Sequence, residues 1–351
     1  MTKDLLENPH LPGSDSDHAR PTLKTIAAET GFAVATVSRA LKDAPDIGDE
    51  TKRIVRESAT RLGYRPNRAG VRLRTGKTNV IALVLSTEAG MMNHTSRLMY
   101  SIAKALRGTT YHMVVMPFFA DQDPMDPIRY IVETESADGI VLNQTKPDDP
   151  RVRYLFERNF PFATHGQTDM GMEHAFFDFD NEAFARIAVE TLVKVGRKRL
   201  LLIPPPRHHT YSRHMTKGFS DAAGELGATF ELLQGVTSDS LAHDIDAALR
   251  DVLRRPNRPD GIVSGSTNGT MAAVTAAEAV GLELDKTIDV VGKEAIPILH
   301  MFRDKIYVVQ EDVGLVGEFL AKTLVELIEH RTPKQLQGLE IPAPPRRGTD
   351  N

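Results

Sequence analysis

Apolar residues follow two different patterns on either side of about residue 78. Over residues 21–64 they recur at helical spacing in three short segments, separated by Gly31 and by the run Asp43-Ala44-Pro45. We predict helices over about 23–30, 34–41 and 49–62. Thr22 is a suitable N-cap for the first helix, and Gly31 favours a left-handed turn after it.

Beyond residue 78, short continuous apolar runs alternate with segments of helical periodicity such as 182–196. Such runs are typical of buried parallel strands. They are VIALVL (80–85), YHMVVMPFF (111–119), DGIVLN (138–143), FPFATHG (160–166), RLLLI (199–203), DGIVSG (260–265), DVVG (289–292) and KIYVVQ (305–310). The alternation predicts an α/β body with two parallel sheets, and such sheets bind ligands at the carboxyl ends of their strands.

The charges divide the chain at the same place. The net charge of the 351 residues is −4, yet residues 20–79 carry 13 Lys and Arg against 6 Asp and Glu. Residues 80–351 carry 29 Lys and Arg against 37 Asp and Glu. A basic segment joined to an acidic body indicates a polyanionic partner for that segment alone.

Composition excludes several classes of protein. The chain has no Cys, which excludes disulfides and thiolate metal sites. Residues 1–20 are polar, lack the apolar stretch of a signal peptide and are predicted to be a disordered arm. No run approaches the roughly 18 apolar residues of a membrane span. We therefore predict a cytoplasmic protein with no membrane partner and no cofactor.

The segment TLKTIAAETGFAVATVSRAL (22–41) fits a helix-turn-helix. Ile26 and Ala27 would face inward on the first helix, and Val37 and Leu41 on the second. The opposite face of the second helix presents Val34, Ala35, Thr36, Ser38 and Arg39. Small side chains allow close approach to base edges, hydroxyls donate to phosphates, and Arg bonds bidentately to guanine. The same periodicity also suits a helical hairpin with a solvated face.

Several blocks resemble the DNA-binding head of the LacI/GalR family of transcriptional regulators. They are TLKTIA (22–27), GFAVATVSRAL (31–41), TKRIV (51–55), LGYRPNR (62–68) and LRTGKT (73–78). The α/β part resembles the family's type I periplasmic-binding-protein-like core. The resemblance therefore implies an all-α helix-turn-helix head followed by an α/β two-lobed body, from about residue 21 to the C terminus.

The resemblance also implies which residues contact DNA. Val34 and Ala35 match positions that choose the operator sequence, and Arg39 matches a base-contacting Arg. Phosphate contacts are implied for Thr22, Thr36, Ser38 and Asn67. For Arg68, a phosphate contact and a solvated linker face both remain open. Leu73 matches an apolar wedge in the minor groove, where insertion of such a side chain kinks the duplex; packing on the body is its alternative.

In the family, a small-molecule effector binds between the two lobes. The candidates here follow predicted strands and are Thr87, His165, Ser266, Asn268, Glu294, Glu311 and Asp312. Carboxylates and amides suit the hydroxyl groups of a mono- or disaccharide. The family often has an effector-binding Arg where this chain has Met215, and Arg213 is the candidate substitute. A non-sugar effector therefore remains an alternative.

The predicted domains follow from these assignments. They are an arm (1–20), a head (21–66), a hinge (67–77), a body (78–345) and a tail (346–351). The chain is expected to cross between lobes near Gly196, near 310–312 and near His330. Lobe 1 would comprise 78–196 and 311–330, and lobe 2 would comprise 197–310 and 331–345.

Together these inferences predict an effector-controlled repressor of double-stranded operator DNA. It should be a homodimer, because one recognition helix per chain supplies too little specific contact. We expect no enzyme. SGSTNG (264–269) lacks the second Gly of a serine nucleophile elbow at the required place, nothing in the sequence brings Glu294 and Glu311 to the separation of a glycosidase pair, and no phosphate-binding Gly-rich loop is present. We also expect no metal at His208, His209 and His214, which lack further ligands at a suitable spacing. The alternative is a cytoplasmic carbohydrate-binding protein with the same body.

Overall fold

The computed structural model describes residues 21–65, 72, 76–86, 92–119 and 121–348. The chain divides between Lys77 and Thr78 into two compact units. The predicted arm and most of the predicted hinge lie outside the described residues. Among the helices of the described ranges, none is both long enough and apolar enough to cross a membrane.

The first unit contains three helices packed around a small apolar core. They are α1 (Leu23–Thr30), α2 (Val34–Leu41) and α3 (Asp49–Arg61). The hydroxyl of Thr22 accepts a hydrogen bond from the backbone N–H of Thr25, and Gly31 follows α1 with a φ of 75°. Both local predictions are confirmed.

The core of this unit is formed by one stripe from each helix. Ile26, Val37 and Ala40 are completely buried, and Val55 of α3 packs against them. Leu41 is only half-buried, so Ala40 rather than Leu41 accompanies Val37 in the core. The outward face of α2 is thereby fixed, because Val37 and Ala40 point to the opposite side.

The second unit contains two parallel sheets with helices on their faces. Its elements in chain order are β1 (Val80–Ser86), α4 (Met92–Ala105), β2 (His112–Phe118), α5 (Asp126–Thr134), β3 (Gly139–Leu142), α6 (Pro150–Glu157), β4 (Phe162–His165), β5 (Ala175–Phe179), α7 (Asn181–Lys194), β6 (Arg199–Ile203), α8 (Thr210–Glu225), β7 (Thr229–Leu232), α9 (Ala242–Leu253), β8 (Gly261–Ser264), α10 (Thr267–Ala279), β9 (Asp289–Glu294), α11 (Leu299–Phe302), β10 (Tyr307–Gln310), α12 (Val313–Ile328) and β11 (Gln337–Glu340).

Each sheet forms the centre of one lobe. The first has the strand order β11-β5-β4-β3-β1-β2 and the second β10-β9-β8-β6-β7, with parallel pairing throughout. Helices α4 and α12 pack on one face of the first sheet, and α5 and α6 on the other. Helices α7 and α8 cover one face of the second sheet, and α9 and α10 the other. Buried on both faces, the central strands are continuously apolar, as the sequence predicted.

Two of the predicted lobe boundaries are wrong. Helix α7 packs on the second sheet, so the chain leaves the first lobe near Asp180 and not near Gly196. The segment 331–340 does not enter the second lobe, because β11 pairs with β5 at the edge of the first sheet. The chain reaches the second lobe only afterwards, where Arg346 pairs with Val308. In both cases a long-range contact decides the location, namely the packing of α7 and the pairing of β11, and periodicity does not encode such contacts.

Candidate functional site

A cleft lies where the carboxyl ends of the two sheets face each other. Four of the predicted effector residues line it: His165, Ser266, Glu294 and Glu311. His165 ends β4 and Glu294 ends β9, while Glu311 follows β10 directly. The rule that ligands bind at the carboxyl ends of parallel strands therefore located these side chains.

Asn143 also lines the cleft and was not among the predicted site residues. It follows β3, and only 2% of its surface is exposed. Neither the side-chain nitrogen nor the side-chain oxygen has a hydrogen-bond partner among the described residues. A buried amide without partners is costly, so a ligand that both accepts and donates hydrogen bonds would satisfy it. Its place at a strand end was the signal that could have found it.

Glu311 occupies the base of the cleft between three nitrogen-bearing side chains. Its carboxylate lies 2.7 Å from Lys293 Nζ, 3.3 Å from His94 Nε2 and 3.6 Å from His165 Nε2. Burial opposes its ionisation, but the charge of Lys293 and the bonds from the two histidines outweigh burial. The pKa of Glu311 therefore lies well below its usual value.

The two histidines are in direct contact. Their Nε2 atoms are 3.0 Å apart, and His165 Nδ1 lies 3.0 Å from the carbonyl oxygen of Phe177. Burial lowers the pKa of His94 despite the nearby Glu311. Burial acts in the same direction on His165 and is the largest single effect, but the bond and charge of Glu311, the charge of Asp178 and the bond to Phe177 together outweigh burial and raise the pKa of His165. His94 was not predicted, because it lies in a helix and not at the end of a strand.

Asp178, at the end of β5, adds a second buried carboxylate to the cleft. Gln167 Nε2 donates to it at 3.1 Å. Burial raises the pKa of Asp178. The cleft therefore presents carboxylates and amides together, and Tyr211 is the aromatic side chain among its lining residues.

The predicted roles of Arg213 and Met215 are not supported by their positions. Arg213 is exposed and forms an ion pair with Asp169 outside the cleft lining. Met215 is buried in the core of the second lobe, directly beneath Gly265. It packs under the cleft floor and has no polar group for an effector, so Arg213 does not take the place of the family Arg.

Two other predicted effector residues, Asn268 and Asp312, do not line this cleft, and one, Thr87, falls outside the described residues. Asn268 lies in the first turn of α10 and is absent from the lining. Asp312 caps α12, accepting from the N–H groups of Gly314 and Leu315. Glu294 does line the cleft, but one of its oxygens accepts the N–H groups of Ile298 and Leu299. Thr87 lies outside the described residues.

The outward face of α2 carries the predicted DNA contacts in the first unit. Val34, Ala35 and Arg39 are exposed, while Thr36 and Ser38 are half-buried. Arg39 forms an ion pair with Asp46 on the following loop. The Thr22 hydroxyl is already engaged in capping α1. Asn67, Arg68 and Leu73 lie outside the described residues.

Both units match family models. The model described as "Bacterial regulatory proteins, lacI family" matches residues 22–67. The model described as "Periplasmic binding proteins and sugar binding domain of LacI family" matches residues 78–344. The predicted fold class, a helix-turn-helix head with a periplasmic-binding-protein-like body, is confirmed.

Relatives and solved structures cover nearly the whole chain. The HTH-type transcriptional regulator RafR of Escherichia coli is 30% identical over 322 residues, covering 90% of this chain and 94% of RafR. The HTH-type transcriptional regulator AglR of Rhizobium meliloti (strain 1021) is 29% identical, covering 86% of each chain. The lac repressor dimer bound to operator and the anti-inducer ONPF has a TM-score of 0.81 at 19% identity, covering 94% of this chain and 98% of that one.

A complex of the transcriptional regulator CelR with cellobiose has a TM-score of 0.67 at 22% identity, covering 92% of this chain and 98% of that one. At these identities the two structures support the fold. The family models and RafR carry the assignment: the chain belongs to the LacI family of bacterial regulatory proteins and is a DNA-binding transcriptional regulator.

Proposed function

We propose that this regulator is a homodimeric repressor whose affinity for operator DNA changes when a mono- or disaccharide binds in the cleft. The observation that carries the effector proposal is Asn143, whose buried amide has no partner among the described residues. Sugar hydroxyls both donate and accept, so one hydroxyl pair satisfies the amide nitrogen and oxygen together.

The rest of the lining supports a hydroxyl-rich ligand. Asp178 and Glu294 supply acceptors for hydroxyl donors, and Ser266 lies on the opposite lobe from Asn143. Tyr211, whose ring stacks on that of His209, adds an aromatic residue to the lining, and aromatic rings pack against the C–H face of a pyranose. The relative solved with cellobiose is in agreement with this class of ligand.

The two lobes meet beside the cleft through few polar contacts. The backbone N–H of Thr210, in the second lobe, donates to the carbonyl oxygen of Thr145, in the first, at 2.9 Å. The ion pair of Arg213 with Asp169 joins the same two lobes. A ligand held by both lobes shifts the balance between their orientations. We infer that this shift is coupled to operator binding by about 1–3 kcal/mol, the usual size of allosteric coupling.

DNA recognition is proposed for the exposed face of α2. Val34 and Ala35 are exposed at the start of this helix, where recognition helices contact base edges. Arg39 is the proposed base or phosphate contact one turn later. Asn67, Arg68 and Leu73 remain predictions as contacts of the same operator. We infer that the protein works in the cytoplasm, where such an operator lies.

The test is an anisotropy titration of a labelled operator, selected in vitro from random DNA, with and without a panel of mono- and disaccharides. One sugar should change the operator affinity of the wild-type protein. Asn143→Ala should bind the operator normally but lose most of the response to that sugar. Asn268→Ala is the matched control, because Asn268 lies near the cleft but does not line it. An unchanged response in Asn143→Ala would overturn the proposed site.

An enzymatic role is the rival interpretation. We infer that the sugar is bound and released unchanged, since family members act as regulators. Incubation of the effective sugar with the protein, followed by chromatography of the sugar, should recover it intact. A product that depends on Glu311 or Asp178 would instead support an enzyme.

A further inference from the structure

We propose that His94, His165 and Glu311 bind one divalent transition-metal ion of the zinc type at the base of the cleft. The two imidazole nitrogens and one carboxylate oxygen would be its ligands, and one coordination position would remain open towards the cleft. This site does not depend on the identity of the effector or of the operator.

The spacing of the three ligand atoms fits one metal ion. Nε2 of His94 lies 3.0 Å from Nε2 of His165, and Glu311 Oε1 lies 3.3 Å and 3.6 Å from these nitrogens. Ligands of a tetrahedral zinc ion, at about 2.0–2.1 Å from the metal, are about 3.3 Å from one another. The observed triangle therefore needs only shifts of a few tenths of an ångström to close on an ion.

The hydrogen bond behind the ring of His165 suits a metal ligand. His165 Nδ1 lies 3.0 Å from the carbonyl oxygen of Phe177, which holds the proton on Nδ1. Nε2 of neutral His165 then carries a lone pair. Metal-binding histidines are oriented in this way by a carbonyl or carboxylate behind the ring.

The carboxylate is oriented in a similar manner. Glu311 Oε2 lies 2.7 Å from Lys293 Nζ, which leaves Oε1 on the side of the two histidines. Lys293 also contacts Asn181 Oδ1 at 3.2 Å and lies over the ring of Phe179, so its position is fixed. The positive charge of Lys293 opposes a cation, and the carboxylate of Glu311, 2.7 Å away, offsets that charge.

The ligand set selects the type of metal. Two imidazoles with one carboxylate and an open position are typical of zinc sites that keep a water or substrate ligand. Mg²⁺ and Ca²⁺ prefer oxygen ligands in larger number, so these ions should bind poorly here. A hydroxyl group of a bound effector could take the open position, and this consequence alone rests on the proposed function.

The direct test uses full-length protein without a polyhistidine tag, freed of metal with a chelator and then titrated with Co²⁺. We expect one equivalent of Co²⁺ per chain, with the intense visible absorption of a tetrahedral ion, and displacement of Co²⁺ by Zn²⁺ but not by Mg²⁺. His94→Gln should bind Co²⁺ at least about 100-fold more weakly, since loss of a ligand should cost as much as loss of a supporting residue.

A matched control separates this site from surface histidines. His243→Gln removes a largely exposed histidine that does not line the cleft and should bind Co²⁺ as the wild type does. Zn²⁺ should also raise the melting temperature of the wild type and of His243→Gln, but not that of His94→Gln. Equal Co²⁺ binding by wild type and His94→Gln would overturn the proposal, and so would weak binding with the spectrum of hydrated Co²⁺. Neither result would depend on DNA or sugar binding.

Discussion

The guanidinium of Arg151 is held against the carboxylate of Asp149 with both side chains almost completely buried. Arg151 Nη2 donates to Asp149 Oδ2 at 2.7 Å, and Nε donates to Oδ1 at 3.0 Å. The same Nη2 also donates to the carbonyl oxygens of Asn143 and Gln144, at 3.2 Å and 3.0 Å. The pair therefore fixes the loop after β3, which presents Asn143 to the cleft.

Removal of the cation should strongly destabilise the body. Arg151→Met leaves the buried carboxylate of Asp149 without its partner, and we expect a loss of about 3–5 kcal/mol in the free energy of unfolding. Urea unfolding measures this loss. The neighbouring pair of Arg153 and Asp148 is exposed, so Arg153→Met should cost less than about 1 kcal/mol. Similar losses in both variants would mean that the burial of an ion pair does not determine its contribution to the free energy of unfolding.

The stability contributed by Asp149 should disappear in acid. Burial opposes ionisation of Asp149, but the bond and charge of Arg151 and backbone N–H donors outweigh burial and lower its pKa. A lowered pKa in the folded state means that the contribution is present above the unfolded pKa of about 3.9 and is lost as the pH falls through the folded value. The difference in unfolding free energy between wild type and Asp149→Asn should therefore be constant near neutral pH and shrink below about pH 4. A difference that does not change with pH would contradict this account.

Alanine substitutions at two glycines of α8 should change the stability of the protein in opposite directions. A Cβ on Gly218 would be 2.9 Å from Cα of Glu182 in α7, and closer still to its carbonyl oxygen. Gly218→Ala should therefore force the two helices apart and cost about 1–3 kcal/mol. A Cβ on Gly224, in the same helix, meets no atom within 4 Å, and Gly224→Ala should stabilise by about 0.5–1 kcal/mol. Thermal unfolding of the two variants tests the close approach of these helices.

Arg39 should contribute to specific DNA binding and not to folding. Its side chain is 55% exposed, and its ion-pair partner among the described residues of the head is Asp46. Arg39→Ala should weaken binding to a selected operator by about 1–3 kcal/mol, the cost of losing a bidentate base contact. The control is Arg53→Ala, because Arg53 is equally exposed but forms its ion pairs within α3. Equal losses of affinity on operator and on unrelated DNA would indicate a phosphate contact instead.

Local features of the head and body could be predicted from the sequence. The turn at Gly31, the cap at Thr22 and the buried stripe around Ile26 and Val37 depend on neighbouring residues alone. The continuous apolar runs identified eight strands. The central strands among them are covered on both faces and so have no polar alternation, whereas β2 is an apolar edge strand that is largely exposed. The strand-end rule then located His165, Ser266, Glu294 and Glu311 in one cleft.

Other features were decided by tertiary structure. β7 and β11 are edge strands whose exposed residues give no continuous apolar run, and the apolar run of β5 is interrupted by Asp178, so these strands were missed. β11 belongs to the first sheet because it pairs with β5, although it follows the strands of the second sheet in the chain. The contact of His94 with His165 and Glu311 joins residues 71 and 217 positions apart. Sequence periodicity reflects the local helix or strand that neighbouring residues form. Contacts such as that of His94 with Glu311 arise only when two sheets and their helices pack together.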